Sequence, residues 1–386
     1  MPHSTVSTLS SEQGRSVLFL YPGTARDSRM DLVKQGRAPK DFFYGLPHIQ
    51  SCGFDVSIGN TRKDPKGALN RGVLMYERIR NRYLNFGLSV SRVNAIADQI
   101  GGADIALSFN DFFSLSMGLY RSNIPGQMRL LGGFHGLSDL VERPPSMFRG
   151  YAKSQLMKAI EGLDHLFFSG EVDREKAIEM FSIPREKTSY YPFGVDAEFW
   201  RPDDKPYEAE TVLSVGSDPS RDFATLINAN IQDLVRIITR LNVGGGDVPD
   251  NVEIVRGSLF GSEITDEKLR ELYQHAKVIV VPVRDVWQPS GCSVTLQAMA
   301  CGKAVVISDI KGLWDRDQLK SGENCLLVPP GDPKALKDAV EGLNSDPKWR
   351  EEMGRAARKT VDDHFSISRM DHALEKIVRD QLDYIR

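Results

Sequence analysis

The densest candidate chemistry in the chain lies in QPSGCSVTLQAMACGKAVVISD, residues 288–309. Small polar residues precede a short apolar run, Gly302 ends it, and a β-branched run follows. The order predicts a loop, a helix from about Val294 to Cys301, a glycine stop and a buried strand. Ser290, Gly291, Cys292 and Ser293 then stand at the helix N-terminus. Free backbone N–H groups and the positive dipole end favour an anion there. Gly291 lets backbone approach a phosphate, and Ser290 or Ser293 adds a hydroxyl; ordinary N-capping by Ser293 accounts for the same residues. Gln297 lies one turn after Ser293, so its side chain can share the face of the anion-binding end.

Other polar residues follow other apolar runs. In VGSDPSRDFATLINA (215–229) a strand ends at Gly216, Ser217 opens a loop, and Arg221 and Asp222 precede a helix near Phe223. An arginine there can clamp a diphosphate bidentately; a solvated Arg–Asp turn is the other reading. In LLGGFHGLSDL (130–140), His135 follows a glycine pair at a strand's end. It can donate a hydrogen bond near neutral pH and stabilise developing charge, or be an incidental loop histidine. Gly23 and Thr24 in YPGTARD, and Asn110 and Asp111 in SFNDFFS, follow further strands. They either line the same cleft or, for Asn110 and Asp111, serve turn chemistry.

The elements that must position these residues are short β-branched runs separated by helical patterns. They fall at 16–20, 54–59, 104–109, 128–133, 165–170 and 189–194, then at 211–216, 235–240, 251–257, 278–283 and 304–309. Near-continuous apolar strands alternating with helices predict doubly wound parallel α/β sheets. Ligands then sit beyond the carboxyl ends of the strands. The pattern restarts near residue 207, after the polar, proline-bearing FWRPDDKPYEAE (199–210). The expected organisation is a Rossmann-like domain over 1–202, a second over 203–365, and a helix over 366–386 packing on the first.

A chain of 386 residues favours two domains. A hydrophobic fraction of 41% and a charged fraction of 26% are those of a soluble globular protein. A net charge of −3 argues against a nucleic-acid partner, which selects a strongly basic domain. Cys52, Cys292, Cys301 and Cys325 form no CxxC pair and no Cys/His cluster in sequence. The expectation is reduced thiols, with neither structural zinc nor a disulfide framework. The polar start MPHSTVSTLSSEQGR has no signal-peptide core, and no apolar run is long enough to span a bilayer, so a cytoplasmic protein is expected. Residues 71–88 mix Arg71, Arg78, Arg80 and Arg82 with Leu74, Met75, Tyr76, Ile79, Tyr83 and Leu84. That suits an amphipathic helix in peripheral contact with anionic lipid, and equally a core-facing helix with a solvated arginine face.

Four stretches together resemble the GT-B glycosyltransferases, in particular the family-four (group 1) retaining enzymes. They are YYPFGVDAEFWRP, SVGSDPSRDFATLINA, LQAMACGKAVVISDIKGLWD and GENCLLVPPGDPKALKDAV, in that order. The resemblance implies two Rossmann-like domains facing a cleft, with a C-terminal helix crossing back to the first. It implies transfer of a hexose from a UDP- or GDP-sugar, held mainly by the second domain, to a glycan, lipid or small-molecule acceptor on the first. Retention, no obligatory metal and no cofactor are further implications. By position, Arg221 matches the residue that grips the donor diphosphate, and Ser290 and Gly291 match the amides near the phosphates. His135 matches the histidine near the reacting sugar, and Lys311 borders the donor site. The donor-side set is completed by Gly216, Ser217, Asp222, Cys292, Ser293 and Gln297. Two glutamates usual in the family are replaced, one by Pro289 and the ribose-binding one by Gln297, and Ser217 stands where a second basic residue is common. Those departures motivate two rivals: an inactive sugar-nucleotide or glycan-binding subunit, and a sugar-nucleotide epimerase.

Overall fold

The computed structural model describes residues 14–22, 25–203, 211–243, 248–257 and 264–385. Among the described residues two six-stranded sheets form, each wholly parallel. The first contains β1 (Ser16–Tyr21), β2 (Asp55–Asn60), β3 (Ile105–Ser108), β4 (Arg129–Phe134), β5 (His165–Phe168) and β6 (Thr188–Tyr190). Their order in space is β2-β1-β3-β4-β5-β6. β3 and β5 are buried throughout, and β1 everywhere but its first residue, as strands covered on both faces must be. The edge strand β2 alternates instead. The order reverses direction between β1 and β3, so the loops after those two strands flank the switch point of this sheet.

The second sheet contains β7 (Thr211–Val215), β8 (Leu234–Thr239), β9 (Val252–Arg256), β10 (Ala276–Val281), β11 (Val305–Ser308) and β12 (Leu326–Val328). Its order is β12-β11-β10-β7-β8-β9, with the switch point between β7 and β10. Each apolar run of the sequence contributes one strand. β12 has no such run: it is three residues long and only Val328 is buried. Each sheet has its own core. Leu18, Leu130 and Leu166 pack with Leu115, Leu156 and Ala159 in the first, and Val212, Val280 and Val306 pack with Leu226, Leu336 and Val340 in the second.

The described residues fall into two compact units. One takes residues up to 26, Phe43–Tyr191 and residues from Asp371 on; the other takes Asp27–Phe42 and Pro192–Met370. The chain changes unit ahead of the 202/203 boundary expected from the polar 199–210 stretch, part of which (204–210) lies outside the described residues. Aromatic burial is the reason. Trp200 is fully buried, packs edge-on to Phe199 at 4.9 Å between centroids, and lies 5.8 Å from Tyr273. Val195 pairs with Ser366, just before the helix Ile367–Leu382. Nothing in the pattern of the sequence signals that Asp27–Phe42 belongs with the second unit. It is tied there by Arg29, whose Nη2 lies 2.6 Å from Asp266 Oδ1, and by Asp41. Among the described residues no helix is long and apolar enough to cross a membrane.

Candidate anion site at the second switch point

The loops after β7 and β10 are zipped together. Arg221 forms an isolated antiparallel bridge with Val283, the Arg284 amide donates to Ser220 O at 2.9 Å, and the Asp222 amide donates to Pro282 O at 3.0 Å. Asp218 is the knot. It accepts from the Ser220 amide at 2.8 Å, from Gln288 Nε2 at 2.9 Å and from Ser290 Oγ at 3.2 Å, and the Ser220 hydroxyl also reaches it. Burial pushes this carboxyl up. The hydrogen bonds from Ser220 and Gln288 and the charge of Arg221 outweigh it, so Asp218 titrates below its ordinary value.

Arg221 sits between two glycines. A Cβ on Gly216 would lie 2.4 Å from Arg221 Nε, and one on Gly291 would lie 3.3 Å from Arg221 Nη1 and 2.5 Å from Val281 Cγ1. Both glycines have positive φ, so L side chains are disfavoured there twice over. The guanidinium is buried, and its Nε and Nη1 have no hydrogen-bond partner. Burial lowers its pKa, but a guanidinium stays charged. A buried cation with unmade hydrogen bonds is costly in a merely structural role, which makes this a candidate anion site.

Next to it begins the helix Cys292–Ala300, two residues earlier than the sequence suggests. Its N-cap is Gly291, with φ of 87° and no side-chain cap, so Ser293 does not cap it. The left-handed glycine turns the chain directly into the helix. Cys292 is buried with its thiol pushed well up, and Ser290 is occupied with Asp218.

Gln297 does not lie open on a ligand-binding face. Every residue from Val294 to Ala300 is buried, so a polar side chain must find a partner inside. Gln297 Nε2 donates to Asp41 Oδ2 at 3.0 Å, and Gln297 Oε1 is buried without a partner. Asp41 also accepts from the Asp196 amide at 2.6 Å and Trp200 Nε1 at 2.7 Å. Desolvation raises the Asp41 carboxyl to about 7, with three hydrogen bonds opposing it.

The remaining donor-side residues hold the scaffold. Ser217 Oγ accepts from the Arg240 amide at 2.9 Å. Asp222 caps the helix Phe223–Asn228, accepting from the Thr225 amide at 3.2 Å and Thr225 Oγ1 at 2.6 Å. Lys311 Nζ lies 2.8 Å from Asp285 Oδ2, and its amide donates to Asp285 Oδ1 at 2.9 Å. That pair anchors the loop after β10 to the loop after β11.

In the first unit, His135 follows β4 directly. Its amide donates to Asp111 Oδ1 at 2.7 Å, and its Nδ1 lies 3.8 Å from the same oxygen. Asp111 thus fixes the loop and faces the ring. Tyr44 approaches the imidazole edge-on at 6.3 Å and stacks on Phe109 at 4.6 Å. Asn110 caps the helix Asp111–Tyr120 by accepting from the Phe113 amide at 2.9 Å. Asn110 also lines a small pocket with Pro22, Thr61, Arg62, Arg92 and Phe112. Gly23 and Thr24 lie outside the described residues. The structure therefore gathers Gly216, Arg221, Ser290 and Gly291 in one place and His135, Asn110 and Asp111 in another. Asp218, Gln288 and Asp41 do not stand out in the sequence, where a polar residue in a loop carries no sign of burial.

Residues 250–360 match the family of glycosyl transferases, group 1. The chain is 28% identical over 204 residues to the alpha-maltose-1-phosphate synthase of Mycobacterium tuberculosis, covering 45% of this chain and 51% of that one. It is 25% identical over 241 residues to a D-inositol 3-phosphate glycosyltransferase of Paenarthrobacter aurescens, covering 56% and 57%. The chain thus spans about half the length of these curated relatives. Sucrose-phosphate synthase from Thermosynechococcus elongatus superposes with a TM-score of 0.68 at 18% identity, over 96% of this chain and 100% of that one. Anabaena HepE, solved in complex with UDP and glucose, gives 0.64 at 13%, over 94% and 99%. The fold is that of the GT-B glycosyltransferases.

Proposed function

We propose, from a chain with the GT-B fold and the group 1 glycosyl transferase sequence over residues 250–360, that it moves a hexose from a sugar nucleotide to an acceptor. The observation that carries this reading is the buried guanidinium of Arg221, whose Nε and Nη1 make no hydrogen bond, between Gly216 and Gly291 at the second switch point. A diphosphate supplies the acceptor oxygens its N–H groups lack, and the amides opening the helix Cys292–Ala300 add fixed dipoles. In the reaction the bond from the anomeric carbon to the phosphate oxygen breaks with its electron pair going to the phosphate. The acceptor oxygen forms the new bond and its proton passes to a donor phosphate oxygen, with retention. Arg221 and the helix amides stabilise the departing diphosphate by preorganised charge. His135, steadied by Asp111, is assigned the hydrogen bond to the reacting sugar.

HepE was solved with UDP and with UDP-glucose, which makes UDP-hexoses the first donors to test. Two relatives are named for a sugar phosphate and an inositol phosphate. Arg62 and Arg92, beside Asn110, suit an acceptor bearing a phosphate. The reading is checked by incubating the protein with radiolabelled UDP- and GDP-hexoses and a panel of phosphorylated and plain acceptors. A labelled, enlarged product is expected, and His135→Ala should slow its formation at least about tenfold without changing the melting temperature. The observation favouring a rival is Gln297, turned to Asp41 where the family has a ribose-binding carboxylate. Donor binding without product would establish that binding subunit, and an isomerised donor the epimerase.

We also propose a lipid surface as the partner of the helix Ala68–Leu84. It buries only Leu74, Glu77 and Leu84. Leu69 (82% exposed), Val73, Tyr76, Ile79 and Tyr83 (76%) form an outward stripe at helical spacing, and Arg71, Arg78 and Arg82 are exposed on the same helix, Arg78 paired with Asp64. An exposed apolar stripe on a helix that also carries exposed arginines fits the interface of an anionic membrane. The protein should co-sediment with vesicles containing phosphatidylglycerol and not with phosphatidylcholine alone, and Leu69→Glu with Tyr83→Glu should abolish the effect. Equal binding to both vesicles, or a concentration-dependent dimer lost in the double variant, would reassign the stripe.

A further inference from the structure

Three residues with metal-binding chemistry, His48, His372 and Glu375, converge in the first unit, with Cys52 beside His48; none has been given a role above. His48 lies on the helix Leu46–Ser51 and Cys52 is its C-cap; His372 and Glu375 lie on the helix Ile367–Leu382. Spacings of four and of three residues put each pair on one face of its helix. Gly45 lets the two helices come together: a Cβ there would lie 2.9 Å from Leu374 Cδ2. His48 Nε2 is 2.7 Å from Glu375 Oε2 and 3.6 Å from Cys52 Sγ, and the His48 and His372 rings are 5.1 Å apart. Ligand atoms of His48, His372 and Glu375 all lie within 4.8 Å of one another.

We propose that His48, Cys52, His372 and Glu375 bind one divalent transition-metal ion, zinc foremost, and that the ion clamps the C-terminal helix to the helix Leu46–Ser51. Two imidazoles, a thiol and one carboxylate select zinc or cobalt over magnesium or calcium, which prefer all-oxygen shells. Bonds of about 2.0–2.3 Å in a tetrahedron place ligand atoms roughly 3.3–3.7 Å apart. The His48–Cys52 distance of 3.6 Å falls in that range, and the His48–Glu375 contact of 2.7 Å is shorter, so an ion entering between them parts that hydrogen bond. An outer partner is already in place: Arg379 Nε donates to the other Glu375 oxygen at 2.9 Å, which holds the carboxylate in orientation. His372 is exposed, which leaves the ion a path from solvent. The sequence gives no hint of this set, since its two halves are 320 residues apart and neither resembles a zinc motif alone.

The test uses the full chain without a polyhistidine tag, stripped with a chelator and titrated with cobalt(II) and then zinc(II). One cobalt per chain is expected, with a sulfur-to-metal charge-transfer band that Cys52→Ser removes. His372→Ala, a surface change that leaves folding intact, should weaken binding by at least about tenfold. At equal zinc concentration the melting temperature of wild type should rise by more than that of His372→Ala. The proposal is overturned if no ion binds at one per chain, or if both variants bind as wild type does. Glycosyl transfer plays no part in these readouts.

Discussion

Arg221→Met should lower kcat/KM for the sugar-nucleotide donor by about a hundredfold or more, yet leave the melting temperature equal to or above that of wild type. Both halves follow from the same geometry. The guanidinium is buried at the switch point with Nε and Nη1 unpaired, so the folded protein carries a desolvation cost that hydrogen bonds at those two nitrogens do not offset. Methionine fills similar volume between Gly216 and Gly291 and removes that cost. Asp218 loses a nearby positive charge but keeps its bonds from Ser220, Gln288 and Ser290, so the loops stay joined. Function suffers instead, because a departing diphosphate loses a charge-assisted, two-pronged partner. Arg221→Lys should fall between the two, since an ammonium keeps charge but not the fork. Donor kinetics and thermal melting on the same preparations decide the matter. Unchanged kinetics in the methionine variant would show that the diphosphate binds elsewhere; a large drop in melting temperature would show that Arg221 is structural.

Much of this arrangement is written in the sequence, and what is not has a common cause. Continuous runs such as VLFL and VIVV announce buried parallel strands, because only helices on both faces make such runs soluble. Glycine beside serine or arginine at a strand's end marks a loop built for close approach, which is why Gly216, Arg221 and Gly291 stand out. Pairing between distant segments leaves no such mark. Asp41 reads as an ordinary polar residue at the head of DFFYG, and only the fold shows it buried against Trp200 and Gln297. β12 escapes for a related reason: a three-residue edge strand lacks the length on which periodicity depends. Asp222 is the reverse case. Its position before a helix announces a cap, and a cap is what the structure makes of it.

The second large effect concerns Gln297, where introducing the glutamate usual in the group 1 glycosyltransferases that the chain resembles should damage the protein. The substitution Gln297→Glu removes the amide N–H that now donates to Asp41 and sets a second carboxylate about 3 Å from it, inside a fully buried cluster. Two such groups cannot both ionise there without a large penalty, so Gln297→Glu should cost about 3 kcal/mol at pH 8 and markedly less at pH 5, where both can be protonated. Asp41→Asn in the same chain should recover most of the loss. The wild type carries a related signature. Asp41 titrates near 7 in the folded state against 3.8 in a free chain, so folding favours its protonated form. Stability from this group is complete below about pH 4, declines as pH rises towards 7 and is flat above, with a slope of at most about 1.4 kcal/mol per pH unit. Asp173, raised to about 7 by burial in the same way, adds a slope of the same sign in the first unit. Asp41→Asn should therefore remove part of the decline, not all of it. Urea unfolding of wild type, Gln297→Glu, Asp41→Asn and the double variant at pH 5, 6, 7 and 8 reads every term. If Gln297→Glu is as stable as wild type at pH 8 and binds the sugar nucleotide more tightly, position 297 faces the ribose and not Asp41. If it is unstable at every pH and Asp41→Asn gives no rescue, the damage comes from packing, and the shared-proton account of this cluster falls.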